Sequence, residues 1–165
     1  MTCRCLRKRI GVSDVKRSFL ALLATACCLS STFTYASLGG AASTVSDDQI
    51  KLIANRQSTA SQGYTVNEMV LPSTTVVREY IAGGKVFAVT WRGPSAPNVQ
   101  QLLGTYVEQA TADVKAFRQS HGGIGPVSVS SGDFVFQSGG HMGFYTGRAY
   151  IPSAVPSAVK IPDIQ

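Results

Sequence analysis

His141 stands in Ser138-Gly-Gly-His-Met-Gly143, between two strand-like stretches, and histidine is the side chain best suited to exchange a proton near neutral pH. Flanking glycines would let a substrate approach the backbone there. The plainer reading is a turn histidine whose ring bonds a neighbouring carbonyl. Glu68 and Glu79 fall on adjacent strand-like segments and could face one another as the carboxylate pair that glycoside hydrolysis uses. Arg78, Lys85 and Arg92 lie close enough in sequence to neutralise them instead. Asp133 or Glu108 could complete a serine-histidine-acid set with His141, but no Gly-x-Ser-x-Gly elbow exists and the serines cluster in turns. His121 is better explained as a residue favoured at a helix C-terminus. With no HExxH-like spacing between the two histidines, no metal site is expected. Tyr145, Arg148 and Tyr150, with Phe144, could hold a ligand by stacking and cation–π contact, or could simply form one strand with Tyr145 and Ile151 buried.

The glycine pairs at 83, 122 and 139 resemble phosphate loops only superficially. None opens a helix bearing Lys-Ser/Thr, and none completes Gly-x-Gly-x-x-Gly, so they read as turn residues and no cofactor is expected.

The elements that must position these residues follow from periodicity. Tyr64–Leu71, Thr74–Ile81 and Lys85–Trp91 are rich in Val, Thr, Tyr, Phe and Ile and are separated by Pro72-Ser73 and Gly83-Gly84, which is a meander signal. The third run is apolar on both faces, with Phe87, Val89 and Trp91 on one side and Val86 and Ala88 on the other, as a central strand requires. Arg78 and Glu79 predict a wet face on the second run. Val99, Leu102, Leu103, Tyr106, Val107, Ala110, Val114 and Phe117 recur at helical spacing and predict one amphipathic helix from about Pro97 to Arg118, closed by His121-Gly122-Gly123. Gly104 inside it costs about 1 kcal/mol relative to alanine, which a close contact with the sheet would justify. A second strand set follows: Pro126–Ser130, Asp133–Gln137 and Met142–Ile151. Pro152, Pro156 and Pro162 should keep the tail extended.

Upstream the composition changes abruptly. Arg4, Arg7, Lys8, Arg9, Lys16 and Arg17 precede the apolar run Phe19–Leu29, and Thr34-Tyr35-Ala36 supplies a small-x-small exit. This is the pattern of a secretory signal, with cleavage expected between Ala36 and Ser37 and Val15 as an alternative start. A retained membrane anchor is the rival reading, because about 20 apolar residues would span a bilayer. All four cysteines (Cys3, Cys5, Cys27, Cys28) lie in this leader.

From Ser37 onward nine Lys or Arg stand against eight Asp or Glu. That near balance removes the electrostatic argument for nucleic acid, whose binding needs a clustered basic face, and no nucleic-acid partner is expected. It also shows that most of the +6 of the whole chain belongs to the leader. A cysteine-free chain of this size makes one domain and folds without disulfides. No zinc–thiolate site or cysteine nucleophile can exist in it. Residues 37–62, rich in Ser, Ala and Gly, read as a partly ordered N-terminal arm, with Asp47-Asp48 able to open one helical turn.

Six segments keep their order and spacing in a known pattern: Gly63-Tyr-Thr-Val-Asn-Glu-Met69, Val77-Arg-Glu-Tyr80, Val86–Pro94, Gln101-Leu-Leu-Gly-Thr-Tyr106, Ser138-Gly-Gly-His-Met142 and Gly147-Arg-Ala-Tyr-Ile-Pro152. Together they resemble a family of small proteobacterial exported proteins catalogued as a domain of unknown function (DUF2844-like). Asn67 stands where that family usually has histidine, and Gly143 where an arginine often follows. The resemblance implies export and a single domain, and it carries no activity.

These readings combine into an α+β fold, βββ-α-βββ, with an antiparallel sheet packed on one face by the long helix. Residues 1–36 are a signal peptide, 37–62 an arm and 63–165 the domain. The expected role is a periplasmic or envelope-associated, non-enzymatic binding or accessory domain for an envelope partner or small ligand. The alternatives are a small hydrolase using His141 with Glu68 or Glu79, or a membrane-anchored envelope factor. Membrane contact is expected only through an uncleaved N-terminal segment.

Overall fold

The computed structural model describes residues 37–41 and 55–165. The leader, the cysteines, Ala36 and the turn expected at Asp47-Asp48 lie outside the described residues. Seven strands form one antiparallel sheet: β1 (Asn55–Ser61), β2 (Tyr64–Val70), β3 (Val76–Ala82), β4 (Lys85–Gly93), β5 (Val127–Ser131), β6 (Phe134–His141) and β7 (Phe144–Tyr150). Their spatial order is β1-β2-β3-β4-β7-β6-β5, so the two meanders join edge to edge through β4 and β7. β4 is central and buried along most of its length, as its two-sided apolar pattern requires.

The helical element runs from Val99 to His121 in three pieces: α1 (Val99–Leu103), a 3₁₀ turn (Gly104–Tyr106) and α2 (Val107–His121). Asn98, rather than Pro97, opens it, its side chain accepting from the Gln101 amide at 3.2 Å. Gly122, with φ of 68°, closes it as expected. Leu102, Leu103 and Ala110 pack with Met69, Val77, Val89, Trp91, Phe136 and Ala149 in the main core, between helix and sheet.

Gly104 has φ of 52°, and a Cβ there would collide with the Ser37 side chain. The tight contact is therefore with the segment before the sheet, not with the sheet itself. Leu38 donates to the Leu102 carbonyl at 3.0 Å, Gly39 to Val86 at 2.8 Å, and Val86 to Gly40 at 3.0 Å. Ser37 is 4 % exposed and Leu38 fully buried. Residues expected to form a loose arm thus contribute a plug into the core and, as β1, an edge strand on β2. β1 carries no apolar alternation. Main-chain pairing and the bonds from Arg56 and Ser58 to Asn67 hold it in place.

Three further differences have local causes. Ile81 pairs with Val86 and Tyr80 with Ala88, so Phe87 is the extra residue of a β-bulge. The bulge turns Phe87 away from Val89 and Trp91, onto the opposite face with Tyr80 and Ala88. Gly139-Gly140 are strand residues of β6, because a side chain at 139 would meet Pro126 and one at 140 the Phe144 backbone. The turn falls instead at Met142-Gly143. The tail is not extended: 3₁₀ turns at Pro152–Ala154 and Ile161–Asp163 fold Val159 and Ile164 against Tyr80, Phe87 and Ala88 on the face away from the helix.

Asp133 tethers the start of that tail, accepting from the Ser153 hydroxyl and from its amide at 2.9 Å. The hydroxyl bond first, then the amide bond, holds its carboxyl below the usual aspartate range. A lowered native value means that the tether contributes fully above that range and fades as pH falls through it. Asp133→Asn is accordingly expected to flatten the acid limb of the stability profile. A carboxyl NMR titration and acid unfolding of the two proteins would check this.

Candidate functional site

The register places one wholly polar rung across all seven strands on the face away from the helix: Gln57, Glu68, Arg78, Thr90, Arg148, Gln137 and Ser128 are successive cross-strand neighbours. Its members bond laterally. Arg78 Nε donates to Glu68 Oε2 at 2.8 Å, Arg148 Nε to Gln137 Oε1 at 2.7 Å, and Gln137 Nε2 to Ser128 at 3.0 Å. On one side of the rung lies the apolar strip that the tail covers. On the other, Arg92, Thr146 and Gly139 form the next rung, and the small residues there leave a hollow.

That hollow is a concavity of about 560 Å³ between the rung, Pro126 and the end of the tail. Arg78, Arg92 and Arg148 line it, and no acidic side chain does. Arg148 Nη1 also donates to the Ile161 carbonyl at 3.1 Å. Arg78 Nη1 and the Tyr80 hydroxyl both donate to the Gln165 backbone oxygen at 2.8 Å. Two of the three guanidiniums are thus pre-oriented by the tail. Arg92 reaches out over the Phe144 ring, 5.1 Å from its centroid. Glu68 offsets the charge of Arg78, but Arg148 is held only by the Gln137 amide and tail carbonyls and keeps its full charge, so with Arg92 the site is chemically an anion receptor.

The residues singled out for catalysis do not converge. Register sets Glu68 opposite Arg78 but Glu79 opposite Asn67, so the two glutamates point to opposite faces. Glu68 forms the ion pair with Arg78 and Glu79 is fully buried on the helix side. His141 is exposed at the end of β6, its Nδ1 3.0 Å from the Met142 carbonyl oxygen. β7, β4 and β3 separate its strand from β2, which at the usual strand spacing is roughly 19 Å. His121 stacks on Phe117 at the helix end, 4.2 Å between centroids. Asp133 is held by Ser153, away from His141. Among the described residues no three His, Cys, Asp or Glu side chains gather as metal ligands.

Of the aromatic and basic stretch, Arg148 and Tyr150 share the face of the hollow, the guanidinium 5.9 Å from the ring centroid. Tyr145 pairs with Gly93 and Gly140 on the other face. Arg78 and Arg92 join Arg148 only through pairing across β3, β4 and β7. In sequence their signal was the repeated placing of arginine among strand residues.

The fold and site define an α+β domain with one antiparallel sheet, helix on one face and an arginine-lined hollow on the other. The chain belongs to the family described as Protein of unknown function (DUF2844), whose model matches residues 34–164. No curated protein and no solved structure matches it.

Proposed function

We propose that this protein is an exported, non-enzymatic binding domain of the cell envelope, and that the arginine-lined concavity takes an anionic ligand group, a phosphate or carboxylate. The observation that carries the reading is a hollow lined by three arginines, of which Arg78 is paired with Glu68 while Arg148 is held by neutral oxygens alone and Arg92 reaches out over Phe144. Two of the arginines are already held in place by the tail, so little side-chain ordering remains to oppose binding. The basic leader, apolar run and Thr34-Tyr35-Ala36 exit support export. No helix among the described residues is long and apolar enough to cross a membrane. A hydrolase built on His141 has no geometric support, because neither glutamate lies within hydrogen-bond reach of it.

Mass spectrometry of the cell-derived protein is expected to find Ser37 as the first residue, in the envelope fraction. Calorimetric titration with glycerol phosphate is expected to detect binding that weakens with salt. Arg92→Gln should reduce the affinity about fivefold while leaving stability unchanged, since Arg92 is exposed. Equal binding by the wild type and Arg92→Gln, or none by either, would overturn the assignment of the site.

A further inference from the structure

Two exposed apolar side chains stand at one end of the sheet, both on glycine-flanked tips. Ile124 lies in Gly122-Gly123-Ile124-Gly125 and is 99 % exposed; Met142 lies in the β6–β7 turn and is 91 % exposed. Single exposed apolar residues need no explanation. Their segments lie side by side, because Val127 pairs with Ser138 and Pro126 sits against Gly139, which brings the loop before β5 beside the end of β6. Pro126, Gly139 and Gly140 also line the concavity, so the segments that carry both tips border it.

Among the described residues, two arginines stand close to these tips. Arg92 lies over Phe144, the partner of His141 across the same turn. Arg118, in the last turn of the helix, donates to the Gly123 carbonyl at 2.9 Å and steadies the loop that carries Ile124. Apolar tips flanked by guanidiniums match a surface whose outer layer is anionic and whose next layer is hydrocarbon. An acidic protein partner would meet the charge but would need a cavity for each tip.

We infer that this end of the domain docks on an anionic bilayer surface, with Ile124 and Met142 entering the interface while the arginine-lined concavity takes a lipid phosphate. The inference rests on the concavity being an anion site. It extends membrane contact beyond the N-terminal segment, to which the sequence alone confined it.

The test uses protein recovered from cells expressing the full chain, wild type and variants compared at the same N-terminus, in co-sedimentation with phosphatidylcholine vesicles with and without phosphatidylglycerol. The wild type is expected to partition onto the phosphatidylglycerol vesicles in a salt-sensitive manner. Ile124→Ser/Met142→Ser should lower that partitioning about tenfold or more, and Arg92→Gln about fivefold. The double variant changes only exposed side chains, so its unfolding transition and its affinity for free glycerol phosphate should equal those of the wild type. Free glycerol phosphate binding without vesicle binding would overturn the membrane inference and leave the anion site standing. Equal vesicle binding by wild type and double variant would overturn it as well, assigning the adhesion to another segment. Failure to bind either probe would remove both readings.

Discussion

Replacing Gly147 with alanine is expected to destabilise the protein by about 3 kcal/mol, the upper part of the range for overpacking a tight core. β7 places Gly147 directly opposite Trp91 on β4, and the indole lies against it. A Cβ at 147 would fall well inside contact distance of the Trp91 ring and 2.8 Å from the Gln137 carbonyl oxygen. Neither neighbour can yield cheaply. Trp91 is buried against Phe136, 5.9 Å between ring centroids, and the Gln137 carbonyl is main chain. Gly147 has no positive φ, so the whole effect is steric. Because Trp91 is the only tryptophan, its emission reports the site without labelling. Urea unfolding followed by that emission should give an earlier midpoint and a shifted native spectrum. A variant with wild-type midpoint and spectrum would mean that the strand pairing at β4–β7 is wrong.

Leu38→Ala is expected to cost about 3 kcal/mol, as for other fully buried leucines whose surroundings relax only in part. The side chain lies in the main core although it precedes the first strand by many residues. Its amide bond to Leu102, and those that Gly39 and Gly40 make with Val86, keep the segment from sliding to fill the space. Thermal or urea unfolding would check the magnitude, and hydrogen exchange at the Gly39 and Val86 amides should quicken with it. A loss below about 0.5 kcal/mol, the level of an ordinary surface change, would show that the plug adds nothing to the core.

Much of this architecture could be read from residue types. Gly83-Gly84 announced the β3–β4 hairpin, the three-and-four spacing from Val99 to Phe117 announced the helix, and two-sided burial announced β4. What could not be read depended on partners remote in the chain. Asn55–Ser61 has no apolar alternation because its residues from Arg56 onward are exposed, so its strand character comes from pairing with β2 alone. Phe87 changed faces because a bulge breaks the period of two at one residue, which alternation cannot reveal. Gly104 looked like a cost within a helix until Ser37 was found lodged against it. The hollow was least legible of all. Arg78, Arg92 and Arg148 come together only when three strands are set side by side in one register, whereas the conspicuous His141 ends at a wet turn.

The strand order sets when the molecule can become solid during its own synthesis. β4, the middle of the sheet, waits for β7, the last strand made, and the tail that seals the far face is later still. Strands β1 to β4 can pair in the order they emerge, but the outer edge of β4 stays open until β7 is made, and contacts between such distant parts of a chain form slowly. A polypeptide whose two meanders cannot join until the second is complete is open to threading through a narrow channel before that, which is the condition a leader such as Phe19–Leu29 would impose.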